Sequence, residues 1–194
     1  ADRELGQRGW HLLYLDIPNL YGAPRAVRHG DALYVWATQH LGLSSRVTLI
    51  GLSRGGLLAY NWAVTDPRRV ACIYADAPVC DIRSWPGGRF GGPGSAEDWS
   101  HCLAAYGFTE AQAVAYRGNP IDHAETLARS GVPVLHVTGD ADEVVPHGEN
   151  TMVLVERYRV AGGRAELILK PGGRHHPHGL EDPAPILAFI AQAG

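Results

Sequence analysis

The 194-residue sequence predicts an α/β fold, a mostly parallel sheet with helices on both faces. Three observations carry that expectation. Short apolar runs of strand length alternate with longer segments whose apolar residues recur at helical intervals. The runs are apolar almost throughout, as in strands buried on both faces. Turn signals rich in glycine and proline separate the segments, from a total of 24 Gly and 13 Pro. The length suits one domain with a real core, residues 1–194, and hardly two.

In chain order, residues 10–16 (WHLLYLD) form the first apolar run, a buried strand by composition. Residues 17–24 carry Pro, Asn, Gly and Pro and read as a loop. From 25 to 41, Ala26, Val27, Leu33, Val35, Trp36 and Leu41 recur at helical spacing, with a weak point expected at Gly30. Residues 47–50 (VTLI) make the second strand. A helix over 54–65 then stops at Asp66-Pro67, because the residue before proline avoids the α region.

Residues 70–75 (VACIYA) make the third strand, after which the rhythm breaks. Residues 78–118 hold glycine-rich stretches and two short helical patterns, 96–106 and 110–116. An excursion this long between sheet strands suits a lid or a binding insertion. A helix over 121–130 leads to a strand at 133–138, and a helix over 148–160 to a strand at 165–169. The loop 170–182 precedes a last helix, 183–192, with Ile186, Leu187, Phe189 and Ile190 on one face. That makes about five strands.

Chemistry concentrates at three points. Gly51-Leu52-Ser53-Arg54-Gly55 is a G-x-S-x-G sequence with strand before and helix after, the context in which the serine sits on a tight, strained turn. The glycines on either side are expected to make room for the turn, and the N–H of Arg54 lies where an oxyanion would form. A serine nucleophile needs a base, and the base an orienting carboxylate. Open α/β sheets place such groups after the carboxyl ends of later strands. Asp140 and Asp142 follow the fourth apolar run in GDADEVVP, and His175, His176 and His178 follow the fifth in PGGRHHPHGLEDP.

In that order the three motifs resemble the α/β-hydrolase superfamily, including its serine esterases and prolyl-oligopeptidase-like hydrolases, over residues 10–190. The resemblance implies the triad Ser53, Asp142 and His175, choosing Asp142 over Asp140 and the first loop histidine over His178 and His176. Arg174 departs from the small residue common before that histidine, so the other two stay open. The resemblance also implies an eight-stranded sheet, of which this chain holds the last five. It is therefore expected to be N-terminally incomplete, with the second oxyanion donor preceding Trp10.

The expected activity is hydrolysis of a carboxylic ester through an acyl-enzyme intermediate. APVCDIRSWPGG, with its later DW, resembles bacterial hydrolases found beside polysaccharide-degrading enzymes and implies a carbohydrate ester. A small peptidase of the prolyl-oligopeptidase kind and a non-catalytic binding protein of the same fold are the alternatives. Trp85 and Trp99 are candidate substrate-stacking residues, with packing of the insertion onto the body as the competing role.

Other classes are disfavoured. Lys+Arg 17 against Asp+Glu 20 gives −3, with no basic run for nucleic acid. No apolar stretch reaches membrane-spanning length. The three cysteines form no C-x-x-C pair; free thiols are expected, with a Cys80–Cys102 bridge open in an oxidising compartment. No acid or cysteine lies at ligand spacing from the histidine cluster, so neither metal nor cofactor is expected. His136, inside an apolar run, reads as a core histidine. A secretion signal, for a periplasmic or secreted protein, would lie upstream of Ala1.

Overall fold

The computed structural model describes residues 1–193. Four parallel strands, β1 (Val47–Leu52), β2 (Val70–Asp76), β3 (Val134–Gly139) and β4 (Ala165–Lys170), pair in sequence order. The helices are α1 (Asp2–Gln7), α2 (Pro24–His40), α3 (Gly55–Ala63), α4 (Ala96–Tyr106), α5 (Glu110–Ala115), α6 (Pro120–Arg129), α7 (Thr151–Val160) and α8 (Ala184–Ala193). A strand order that never doubles back, with crossovers of one hand, puts the connecting helices on one face. Accordingly α3, α6 and α7 share one core, with Tyr60, Leu127, Leu154 and Tyr158 packed on Ile73, Ala75 and Val134. The opposite face carries Cys72, Tyr74, Leu135 and Val137, covered by Leu5 of α1 and by Ile186, Leu187, Phe189 and Ile190 of α8. Period-two alternation along β2 serves both cores, which is why that strand reads as one apolar run.

Two expectations are corrected. Residues 10–16 are not a strand, so the sheet formed by the described residues has four strands and not five. An apolar run looks the same in sequence whether or not a neighbour supplies its ladder bonds. Here none of the described residues does, and Leu12, Leu13 and Tyr14 turn outward. On this side the sheet edge falls at β1 instead, where Ile50 and Leu52 are exposed, and β4 forms the other edge. Helix α2 also runs unbroken through Gly30. A Cβ there would sit 2.8 Å from Trp62 Cδ1, so the glycine lets α2 approach α3 closely. Among the described residues no helix is long and apolar enough to cross a membrane.

Residues 78–118 pack onto the body. Val79, Ile82, Trp85, Trp99, Cys102 and Ala113 form a third core with Tyr21, Leu57 and Val145. Buried Asn150 accepts from the Cys80 N–H (2.8 Å) and donates to Ser84 Oγ (2.8 Å), stitching the insertion to the start of α7. Cys72, Cys80 and Cys102 are free thiols, all buried.

His136 is the core histidine expected from its setting. It is fully buried in β3, with Nε2 in a hydrogen bond with Tyr60 Oη (2.6 Å) and Nδ1 in one with Thr151 Oγ1 (3.2 Å). Burial pulls its pKa down to about 3. The unfolded chain takes up a proton near pH 6.5 that the folded chain refuses, so this stability is whole above that pH. It is lost as pH falls towards 3, by about 1.4 kcal/mol per pH unit. His136→Gln is expected to flatten the fall in unfolding free energy between pH 6 and 5, measured by urea titration. Parallel slopes for the two proteins would remove His136 from the account.

Candidate active site

The turn between β1 and α3 is built to project one side chain. Ser53 has φ +51, a left-handed conformation that non-glycine residues rarely adopt and that costs on the order of 1 kcal/mol. Three backbone bonds impose it: the Ser53 N–H donates to the Asp76 carbonyl (2.9 Å), while its own carbonyl accepts from Gly56 (3.0 Å) and Val79 (2.9 Å). The glycines around it are used unequally. A Cβ on Gly51 would lie 3.0 Å from the Gly55 carbonyl oxygen, and one on Gly56 would lie 2.6 Å from Pro78 Cβ. Gly55 meets nothing within 4 Å. The tight neighbours of the turn are therefore Gly51 and Gly56, not the flanking pair that the motif suggests.

The parallel sheet brings the later motifs to the same edge. Asp142 follows β3 and His175 follows β4. Ser53 Oγ–H donates to His175 Nε2 (2.9 Å), and His175 Nδ1–H donates to Asp142 Oδ2 (2.8 Å). The other carboxylate oxygen, Asp142 Oδ1, accepts from the N–H groups of Val144 and Val145, each at 2.9 Å. Burial is the largest influence on Asp142 and pushes its pKa up. The His175 bond and the two backbone donors together outweigh it, leaving the pKa below the ordinary carboxylate value. Asp142 thus stays ionised at neutral pH; its contribution to stability holds above the ordinary aspartate pKa of about 3.9 and is lost as pH falls through the lowered one.

The competing residues have other work. Asp140 Oδ1 accepts from the Gly172 N–H (2.6 Å) and ties the two loops together. His178 Nδ1–H donates to Asp76 Oδ1 (3.0 Å), and His176 is exposed with no hydrogen bond among the described residues. The Arg54 N–H, at the start of α3, is likewise free of partners among the described residues. Its guanidinium lies 3.5 Å from Asp98 of α4 and 5.8 Å from the centre of the Tyr21 ring. Trp85 and Trp99 are each only 8% exposed, packed in the third core, with Trp99 Nε1–H donating to Glu110 (2.7 Å). That placement is the packing role weighed against a stacking surface.

Sequence reasoning missed Asp76. It is the last residue of β2, fully buried, and it accepts from Tyr74 Oη–H (2.9 Å), His178 Nδ1–H (3.0 Å) and the Gly179 N–H (2.7 Å). The signal was present as an acid closing an otherwise apolar strand at the edge where sites form. Asp76 anchors the histidine loop from beneath, while its carbonyl fixes Ser53. Asp76→Ala strands several buried donors and is expected to destabilise the chain by about 3 kcal/mol, read from the denaturant midpoint. A loss below about 1 kcal/mol would mean the loop holds its place without it.

Residues 31–193 match the Prolyl oligopeptidase family. None of the curated proteins matches the chain. Among solved structures, a puromycin-hydrolyzing peptidase of Mycobacterium tuberculosis is similar at TM-score 0.66 and 19% identity, covering 90% of this chain and 26% of its own. Dipeptidyl peptidase 4 of Porphyromonas gingivalis gives 0.66 and 19%, covering 87% and 23%. A puromycin hydrolase gives 0.63 and 23%, covering 84% and 23%. The chain thus spans about a quarter of the length of these structures, and at such identities the likeness is one of fold.

Proposed function

Because the chain belongs to the prolyl oligopeptidase family, we propose that it carries the catalytic centre of a serine peptidase that cleaves short peptide or aminoacyl amides. One observation supports the mechanism above the rest: the unbroken hydrogen-bond chain from Ser53 through His175 to Asp142. In this reading Ser53 Oγ attacks the acyl carbonyl as His175 Nε2 takes its proton. Ionised Asp142 holds the imidazole in the Nδ1–H tautomer and stabilises the imidazolium. His175 then protonates the departing amine. Water, deprotonated by the same imidazole, releases the acyl group from Ser53.

The tetrahedral oxyanion is received by the Arg54 N–H and a second donor, which we place upstream of Trp10, on the loop from which hydrolases of this fold draw it. Loop 17–23 packs beside the start of α3. Asn61 Nδ2–H donates to the Gly22 carbonyl (2.9 Å), and a Cβ on Gly22 would lie 2.7 Å from the Leu57 carbonyl carbon. We further propose that the upstream portion of a longer protein pairs with the free edge of β1.

The family weighs for the amide over the ester as the natural bond, and the carbohydrate ester keeps only its segment resemblance. Esters of an accepted acyl group would also turn over, since their leaving groups depart more readily. A binding protein would have no use for all three groups in register. The deciding experiment incubates the full-length protein with a fluorophosphonate, then with aminoacyl amides, matched esters and acylated sugars. Labelling at Ser53 with amide turnover supports the proposal. Labelling with turnover of acylated sugars alone would return the esterase reading, and no labelling would favour a binding role.

A further inference from the structure

The loop after β4 gathers three imidazoles where hydrolysis requires only the one of His175. The ring centroids of His175, His176 and His178 lie 4.8, 5.1 and 4.7 Å apart, and one ligand nitrogen from each lies within 4.8 Å of the others. Two of the rings are held alike. His175 gives its Nδ1–H to Asp142, and His178 gives its Nδ1–H to Asp76, both acids being buried. A zinc-binding histidine almost always donates its other ring N–H to a carboxylate, which fixes the tautomer and frees the opposite lone pair for the metal. The acids that sequence spacing failed to find as direct ligands are present one step behind the imidazoles. His176, exposed and without a hydrogen bond among the described residues, can turn its ring to complete the set.

We propose that His175, His176 and His178 bind a zinc-type divalent cation through three imidazole nitrogens, and that the bound ion shuts off the Ser53 site. Coordination uses lone pairs of neutral rings, so no proton leaves and nothing is oxidised or reduced; water fills the remaining position. The cost to hydrolysis is direct. Nε2 of His175, the lone pair that otherwise takes the Ser53 proton, is committed to the metal, and Ser53 stays a protonated alcohol. Only this inhibitory half rests on the reading of Ser53 and His175 as nucleophile and base.

Zinc–imidazole bonds of about 2.0–2.1 Å set the nitrogens of a tetrahedral site about 3.3 Å apart, so the rings draw together by roughly 1.5 Å. The carboxylates of Asp76 and Asp142 favour a cation here. Lys170 Nζ, 3.9 Å from Asp76, and the exposed Arg174, paired with Glu143 at 3.8 Å, oppose it. This balance favours a reversible site over a permanent structural metal.

The test has two readouts on the full-length, untagged protein. Equilibrium dialysis of the Ser53→Ala variant against zinc should find one ion per chain, removable by a chelator. His176→Ala and His178→Ala should each weaken that binding by about tenfold or more. In the wild type, zinc should slow fluorophosphonate labelling of Ser53 over the same concentrations, and His176→Ala should shift that inhibition by the same factor, each protein compared with its own zinc-free rate. No saturable zinc binding, or binding untouched by both histidine variants, overturns the site even if turnover proves the hydrolase. Zinc bound as described with labelling unchanged overturns the inhibition.

Discussion

Ser53→Ala is expected to abolish turnover while leaving the unfolding midpoint where it was. The substitution removes one hydroxyl from a half-buried position, and the backbone bonds to Asp76, Gly56 and Val79 that hold the turn remain. Residues that act as one unit fail together, so His175→Ala should lose as much, on the order of 10⁶ in kcat by comparison with serine hydrolases in general. What remains of the acceleration would come from the oxyanion donors and binding, roughly 10³–10⁴ over water. His178→Ala serves as the contrast. It releases one of the donors on Asp76 and loosens the loop, and about a tenfold loss is expected, as for a supporting contact one step from the chemistry. A His178→Ala protein as dead as His175→Ala would mean that the base had been assigned to the wrong histidine. Wild-type turnover in Ser53→Ala would end the mechanism.

The parts legible in the sequence were those set by local physics. G-x-S-x-G between a strand and a helix located Ser53, because a left-handed residue in so narrow a turn needs small neighbours. Chain order put acids and histidines after the later strands, the family resemblance chose Asp142 and His175 among them, and the structure brings these two into contact with each other and with Ser53. Non-local packing decided the rest. Residues 10–16 have a strand's composition and no partner among the described residues, a fact no window of sequence contains. Gly30 looked like a break until Trp62, from the next helix, occupied the space beside it. For Trp85 and Trp99 the sequence leaves stacking and packing open, because Tyr21 and Leu57, which bury them, come from remote segments. Asp76 went unseen for the same reason: its partners His178 and Gly179 lie about a hundred residues away.

Asp142→Asn is expected to lower kcat by about 10⁴ with little change in the fold. The argument runs through the tautomer. Asp142 accepts the His175 Nδ1–H, so Nε2 carries the lone pair that faces Ser53. An asparagine can present its NH₂ to Nδ1, which favours the opposite tautomer and turns Nε2 into a donor with nothing to offer the Ser53 proton. It also removes the negative charge that stabilises the imidazolium. The two donors on Oδ1, from Val144 and Val145, can still bond the amide oxygen, so the loop should stay in place. Asp140→Asn is the matched control two residues away. Its carboxylate accepts from Gly172 and makes no contact with His175, so turnover should fall by less than about tenfold, a modest loss of hydrogen-bond strength. Steady-state kinetics of the two variants at neutral pH, on whichever substrate the wild type accepts, separates the roles. Equal losses would mean that either acid can orient the base, and a large loss confined to Asp140→Asn would transfer the carboxylate's place in the mechanism to Asp140.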